Sequence, residues 1–115
     1  MIGGLEEVHL SVSDLGTMRT FYVEVLGLKE EFYHDGRMLG LDTGGAMLVL
    51  ESRERPASGV GLTFGCKEVE HVLEELSEKG VTVTIPLEAG HWGAKVAGFE
   101  DPEANTVYLE EPPTS

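Results

Sequence analysis

Basic residues are scarce in this chain. Eight Lys and Arg stand against 21 Asp and Glu among 115 residues, a formal net charge of −13 with the histidines neutral. Binding nucleic acid requires clustered Lys and Arg to neutralise phosphates, and the eight present are scattered, so no nucleic-acid partner is expected. Such a field would draw in a cationic ligand, and solubility alone would account for it equally well. Cysteine occurs once, at Cys66, which excludes an intrachain disulfide and fits a reducing compartment. With no base placed beside it, Cys66 is expected to be a small buried apolar residue rather than a nucleophile. No apolar run approaches the roughly 20 residues that cross a bilayer. The opening MIGGLEEVHL has no basic stretch followed by an apolar one, so no secretory signal is expected. The expected setting is the cytoplasm, away from membranes.

The composition that remains, 41% hydrophobic and 25% charged, is that of an ordinary globular protein long enough for one domain, residues 1–115, but not for two. Its most organised stretch is residues 7–28, EVHLSVSDLGTMRTFYVEVLGL. Glu7, His9, Ser11 and Ser13 alternate with Val8, Leu10 and Val12, the period-2 pattern of a half-buried strand with one polar face. Asp14 can cap a helix that runs through Met18, Phe21, Tyr22 and Val25 and stops at Gly27. A strand is expected at residues 28–33, the Asp35-Gly36 pair then signals a hairpin turn, and further short strands are expected at residues 38–41 and 46–51, with a turn at 42–45. This first half reads β-α-β-β-β.

The second half repeats it. A strand at 60–64, a helix at 69–79 ended by Gly80, and strands at 81–85, 94–99 and 106–109 are expected, with loops at 86–93 and 101–105. The offset from Val8 to Val60 agrees with that from Gly27 to Gly80 to within about one residue, the signature of an internal repeat. Module one covers about 5–51, a linker about 52–59, and module two about 60–111.

Three stretches carry a family resemblance. Asp14-Leu15 with Phe21-Tyr22 and Leu26-Gly27-Leu28 is one, and the helix ending Leu76-Ser77-Glu78-Lys79-Gly80-Val81 is another. The third is Trp92-Gly93 followed by Phe99-Glu100-Asp101-Pro102-Glu103-Ala104-Asn105. In this order and spacing, over nearly the whole chain, they resemble the vicinal oxygen chelate superfamily of glyoxalase I, extradiol dioxygenases, fosfomycin-resistance enzymes and bleomycin-resistance proteins. The resemblance implies an α+β fold of tandem βαβββ modules forming a partly open, barrel-like sheet around a ligand-holding face. It also implies a homodimer.

Metal-using members of that superfamily carry ligands in the first and last strands of each module. Anchored on Asp14-Leu15, those slots fall here on Glu7, Val49, Gly61 and Tyr108. Only Glu7 is a ligand of the required type, and a catalytic divalent site needs at least three protein donors at about 2.0–2.3 Å. No metal cofactor is therefore favoured. A register shifted by two would instead gather His9, Glu51 and Glu110, with Thr63 in the fourth slot, on the same strand faces, and that divalent-metal alternative stays open. The leading expectation is a small-molecule-binding protein. It would hold a cationic or aromatic ligand in a cleft lined by Glu7, His9, Met47, Val49, Glu51, Trp92 and Tyr108. A lyase, isomerase or dioxygenase on the shifted ligand set is the alternative, and metal-free catalysis with Glu7 as acid or base beside His9 is a third. His34 and His71 are expected at the surface, and His91 at the pocket rim.

Overall fold

Strand β1 (Glu7–Val12) follows its alternation: Leu10 and Val12 are buried, whereas Glu7 and His9 are exposed. The computed structural model describes residues 2–54, 60–90 and 93–113. The chain divides into two compact units, Met1–Ala57 and Ser58–Ser115. Each holds an open four-stranded mixed sheet, and the element order is α+β. No helix among the described residues is long and apolar enough to cross a membrane.

In the first unit β1 leads into helix α1 (Leu15–Arg19) and then β2 (Lys29–His34), β3 (Met38–Asp42) and β4 (Met47–Ser52). The sheet order is β1-β4-β3-β2, with β1 parallel to β4 and the other pairs antiparallel. Asp14 caps α1 as its position suggests, accepting from the Thr17 N–H at 3.0 Å and the Thr17 hydroxyl at 2.8 Å. Those bonds hold its carboxyl below the usual range. The expected continuous α-helix to Gly27 is not what forms. After Arg19 the chain widens into a π-helical turn, Thr20–Val25, in which the Leu26 N–H reaches back five residues to the Phe21 carbonyl at 2.9 Å. Met18 and Tyr22 both bury completely, with Phe21 packed edge-on against Tyr22. Simple 3.6-residue spacing does not anticipate that phase change. The helix packs on β3 and β4, covering Leu10, Leu39, Leu41, Leu48 and Leu50. Each such side chain contributes about 1.5–3 kcal/mol on burial. On the same side Arg19 forks onto Glu30 at 2.6 and 3.1 Å and lies 4.0 Å over the Tyr33 ring.

The second unit runs β5 (Gly61–Gly65), α2 (Val69–Glu78), β6 (Val83–Ala89), β7 (Lys95–Glu100) and β8 (Thr106–Glu111), in sheet order β5-β8-β7-β6. Its strand β6 begins two residues later than expected and continues through Pro86 to Ala89, where a loop was expected. Proline is tolerated there because β6 is a sheet edge, needing no donor on its outer side. The ladder to β7 is also irregular between Ile85 and Glu88. Helix α2 takes its N-terminal bond from another element, the Glu111 carboxylate accepting from the Val69 N–H at 2.7 Å. Cys66 is half-buried rather than buried, and burial first, then Glu111, pushes its thiol up.

Two close approaches repeat between the units. The Phe32 ring lies on Gly40, its register partner, and Ile85 lies on Gly98, its own partner. A methyl group on Gly40 would overlap the Phe32 ring. Gly40→Ala is therefore expected to cost about 1–3 kcal/mol unless Phe32 is shortened as well. Calorimetry of Gly40→Ala, Phe32→Ala and the double variant checks this, and additive losses would refute the contact. A second position is strained. In the turn before β8, Asp101 Oδ1 accepts from the Glu103 and Asn105 N–H groups, while Ala104 sits at φ 63°. Ala104→Gly should raise stability by about 0.5–1 kcal/mol, since left-handed backbone costs a Cβ-bearing residue more than the extra chain entropy costs glycine. A thermal melt measures it.

Candidate functional site

Because β1 and β4 run parallel, residues paired in register share a sheet face. Glu7 pairs with Met47, His9 with Val49 and Ser11 with Glu51. All six therefore face away from helix α1, together with Met38 and Gly40 of β3, which pair with Glu51 and Val49. The expected site residues Glu7, His9, Met47, Val49 and Glu51 are thus brought onto one face of the first sheet. Val49, between His9 and Gly40 in the register, is buried. Tyr108 belongs to the second sheet, half-buried on the face it shares with Thr63 and Gly98. Glu110 lies two residues further along that face and is exposed. Trp92 and His91 lie outside the described residues.

The polar centre is His9. Its Nδ1 stands 2.6 Å from Glu51 Oε1 and its Nε2 stands 3.0 Å from Glu7 Oε2. Carboxylates accept only, so with one at each nitrogen the ring donates from both edges in its protonated form. The Glu7 bond, then the Glu51 bond, raise the imidazole above its ordinary value. Glu51 is in turn gripped by Arg53, whose Nη2 and Nε donate to Oε2 at 2.7 and 3.3 Å. Arg53 first, then His9, hold the Glu51 carboxyl below the usual range. The result is a line of alternating charge, Glu7, His9, Glu51, Arg53, along one sheet face.

Arg53 was expected in the linker and carried no role there. The signal was available, because it stands two residues beyond Glu51 and so continues the same face for as long as the backbone stays extended. Phe32 and His34 were missed too. Their rings stack with centroids 4.9 Å apart, and Phe32 lies over Gly40, next to Val49 in the register. His34 is exposed as expected and ends β2. His71, also exposed, has a partner that its i, i+4 spacing could have disclosed, Glu75 at 2.9 Å.

Whether these donors fit a metal is a matter of geometry. Glu7 and Glu51 lie at opposite edges of one imidazole, so they cannot converge with a single ring nitrogen on one ion. An ion at Nε2 would find only Glu7 beside it in this unit, fewer than the three protein donors a catalytic site needs. Among the described residues no group of three or more His, Cys, Asp or Glu is placed to hold a metal ion. In the arrangement described, His9, Glu7 and Glu51 do not bring three donors to one ion.

Known proteins share this architecture. The Bacillus subtilis (strain 168) uncharacterized protein YraH is 30% identical over 122 aligned positions, covering 91% of this chain and 95% of its own length. A solved glyoxalase/bleomycin resistance protein/dioxygenase superfamily member from Sphaerobacter thermophilus DSM 20745 superposes with a TM-score of 0.80 at 25% identity. That match covers 96% of this chain and 98% of the other. The lactoylglutathione lyase of Agrobacterium tumefaciens has the same fold, with a TM-score of 0.82 at 20% identity over 96% of this chain and 94% of its own. Residues 4–109 match the family model of the Glyoxalase/Bleomycin resistance protein/Dioxygenase superfamily, and the chain belongs to that superfamily.

Proposed function

We propose that this protein binds a small planar molecule on the outward face of its first sheet, without a metal. The observation that carries the reading is the imidazole of His9, held at both edges by carboxylates 2.6 and 3.0 Å away. A buried Val49 and a Phe32–His34 stack share its sheet. Binding sites combine an apolar floor with a few oriented polar groups, and this face offers both. Glu51, clamped by Arg53, fixes the ring; half-buried Met47 supplies apolar surface; Glu7 and His9 supply polarity. The Phe32–His34 ring stack favours an aromatic guest, and the charge of the guest is set by its contacts at His9 rather than by the net charge of the chain.

A second reading is supported by the Glu51–His9–Glu7 line, since a carboxylate orienting Nδ1 leaves Nε2, bonded to exposed Glu7, to exchange a proton with a substrate once Glu7 moves aside. Turnover that survives chelator but is lost in His9→Ala would establish it.

A thermal-shift screen of planar aromatic amines, amidines and carboxylates tests the binding reading. A ligand at a hundred times its Kd adds about 2.7 kcal/mol, roughly 10 °C for a chain of this size, and His9→Ala should abolish that shift. Elemental analysis that finds one tightly bound metal per chain would overturn the metal-free reading.

The proton on His9 has its own signature. The folded imidazole binds its proton more tightly than the unfolded chain does, so its stabilisation is complete below 6.5 and fades as pH rises through the raised folded value. Glu51 has the opposite sense, its stabilisation complete above 4.5 and fading as pH falls through the lowered folded value. The pair therefore contributes fully between 4.5 and 6.5. NMR titration should place His9 above 6.5 and Glu51→Gln should bring it down; a wild-type midpoint at or below 6.5 contradicts the geometry.

A further inference from the structure

We infer that the Nε2 edge of His9 is the anchor for an anionic oxygen of the bound molecule, and that Glu7 is an internal stand-in that leaves when the ligand arrives. The inference rests on the ligand-binding reading of this face and names the ligand's chemical class.

Both nitrogens of His9 are occupied, so a ligand can reach an imidazole N–H only by replacing one of the two carboxylates. They are not held alike. Glu51 accepts from His9 at 2.6 Å and from Arg53 at 2.7 and 3.3 Å, and its side chain is only 13% exposed. Glu7 bonds Nε2 at 3.0 Å and its side chain is 50% exposed. It is also the first residue of β1, preceded by residues 2–6, which belong to no helix or strand. Swinging Glu7 aside breaks one solvent-exposed bond and no ladder pairing, whereas moving Glu51 dismantles the Arg53 clamp. Glu7 is the group that yields.

What replaces Glu7 must do what it does. The imidazolium N–H donates a charge-assisted bond about twice as strong as a neutral one, so a neutral carbonyl is a poor exchange and a cation would meet like charge. A carboxylate, or another anionic oxygen, restores the bond. Beyond the anchor, the half-buried Met47, Met38 and Phe32 share this face over buried Val49 and Gly40, which suits an aromatic or apolar body. The ligand class is therefore a small aromatic or apolar acid.

Isothermal titration with benzoate and with benzamidine, the same ring bearing opposite charge, tests this on wild type, Glu7→Gln and His9→Asn. Work at about pH 6, below the ordinary imidazole value of 6.5, keeps His9 protonated. Both substitutions change exposed side chains, and a melt of each variant verifies folding. Benzoate should bind Glu7→Gln roughly tenfold more tightly than wild type, the gain from removing a competitor that fills the anchor about nine times in ten. It should not bind His9→Asn. Benzoate binding that is unchanged or weakened in Glu7→Gln overturns the inference. So does benzamidine that binds wild type and is weakened by Glu7→Gln; Glu7 itself is then the ligand's partner, and the ligand-binding reading stands. If neither probe binds any variant the inference also fails, and the broader thermal-shift panel decides the binding reading separately.

Discussion

The parallel pairing of β1 with β4 is the constraint on which the first unit depends. It joins the first strand of a βαβββ unit to its last, a contact between residues some forty positions apart that only the intervening helix and hairpin make possible. Its register sets everything on the outer face. With Ser11 opposite Glu51 and His9 opposite Val49, the Glu51 side chain stands diagonally beside the imidazole and reaches Nδ1. A slip of one residue would turn Glu51 into the helix-covered core, where an unpaired carboxylate is costly. The hydrophobic alternation that seats Leu10, Val12, Leu48 and Leu50 under α1 thus also locks the polar line in place, and core packing and site geometry are one requirement.

That coupling explains what was legible in the sequence. Period-2 alternation showed which face of β1 each residue takes, the Asp35-Gly36 turn and Gly27 and Gly80 marked boundaries, and the repeat pointed to the βαβββ order. Each of these is written within a few residues. The partner of His9 is not, because it depends on the β1–β4 register, which only the assembled sheet defines. The π-helical turn at Thr20–Val25 and the persistence of β6 through Pro86 were hidden for the same reason. In the one, the Leu26 N–H bond to the Phe21 carbonyl replaces the local period; in the other, an edge position removes the usual penalty for proline. The Phe32–Gly40 approach was equally invisible, since a glycine inside a strand can mean a bulge, a bend or a close neighbour. Arg53 differs: its spacing from Glu51 was readable, and only its placement in a linker obscured it.

The line of charges is chemically self-consistent in a way that isolated pairs are not. A surface ion pair contributes little because water screens it and two side chains must be immobilised. Here Arg53, then His9, favour the charged form of Glu51, and Glu7, then Glu51, favour the protonated form of the imidazole, so that each group biases the state of the next. The consequence for recognition is orientation more than stability: the ring plane is set from one side, and the opposite edge is presented through a carboxylate with room to move.

The duplicated architecture sharpens the assignment of that role to one half of the chain. In the second unit β5 pairs in parallel with β8 just as β1 pairs with β4, so the same outward slots exist. There Gly61, Thr63 and Gly65 replace Glu7, His9 and Ser11 as the outward residues of the first strand. Two of the three carry no side chain, and Thr63 offers a hydroxyl with no titrating group. Tyr108 and Glu110 on β8 face those positions, so a carboxylate is present without an imidazole to orient. Identical topology therefore presents an imidazole bonded by two carboxylates in one unit and a glycine-lined strand in the other. Fold symmetry was kept where apolar alternation demands it, on the helix-covered faces, and relaxed on the outward faces, where only chemistry constrains the residue. That division leaves the imidazole and its two carboxylates on β1 and β4, and a glycine-lined first strand on the outward face of the second sheet.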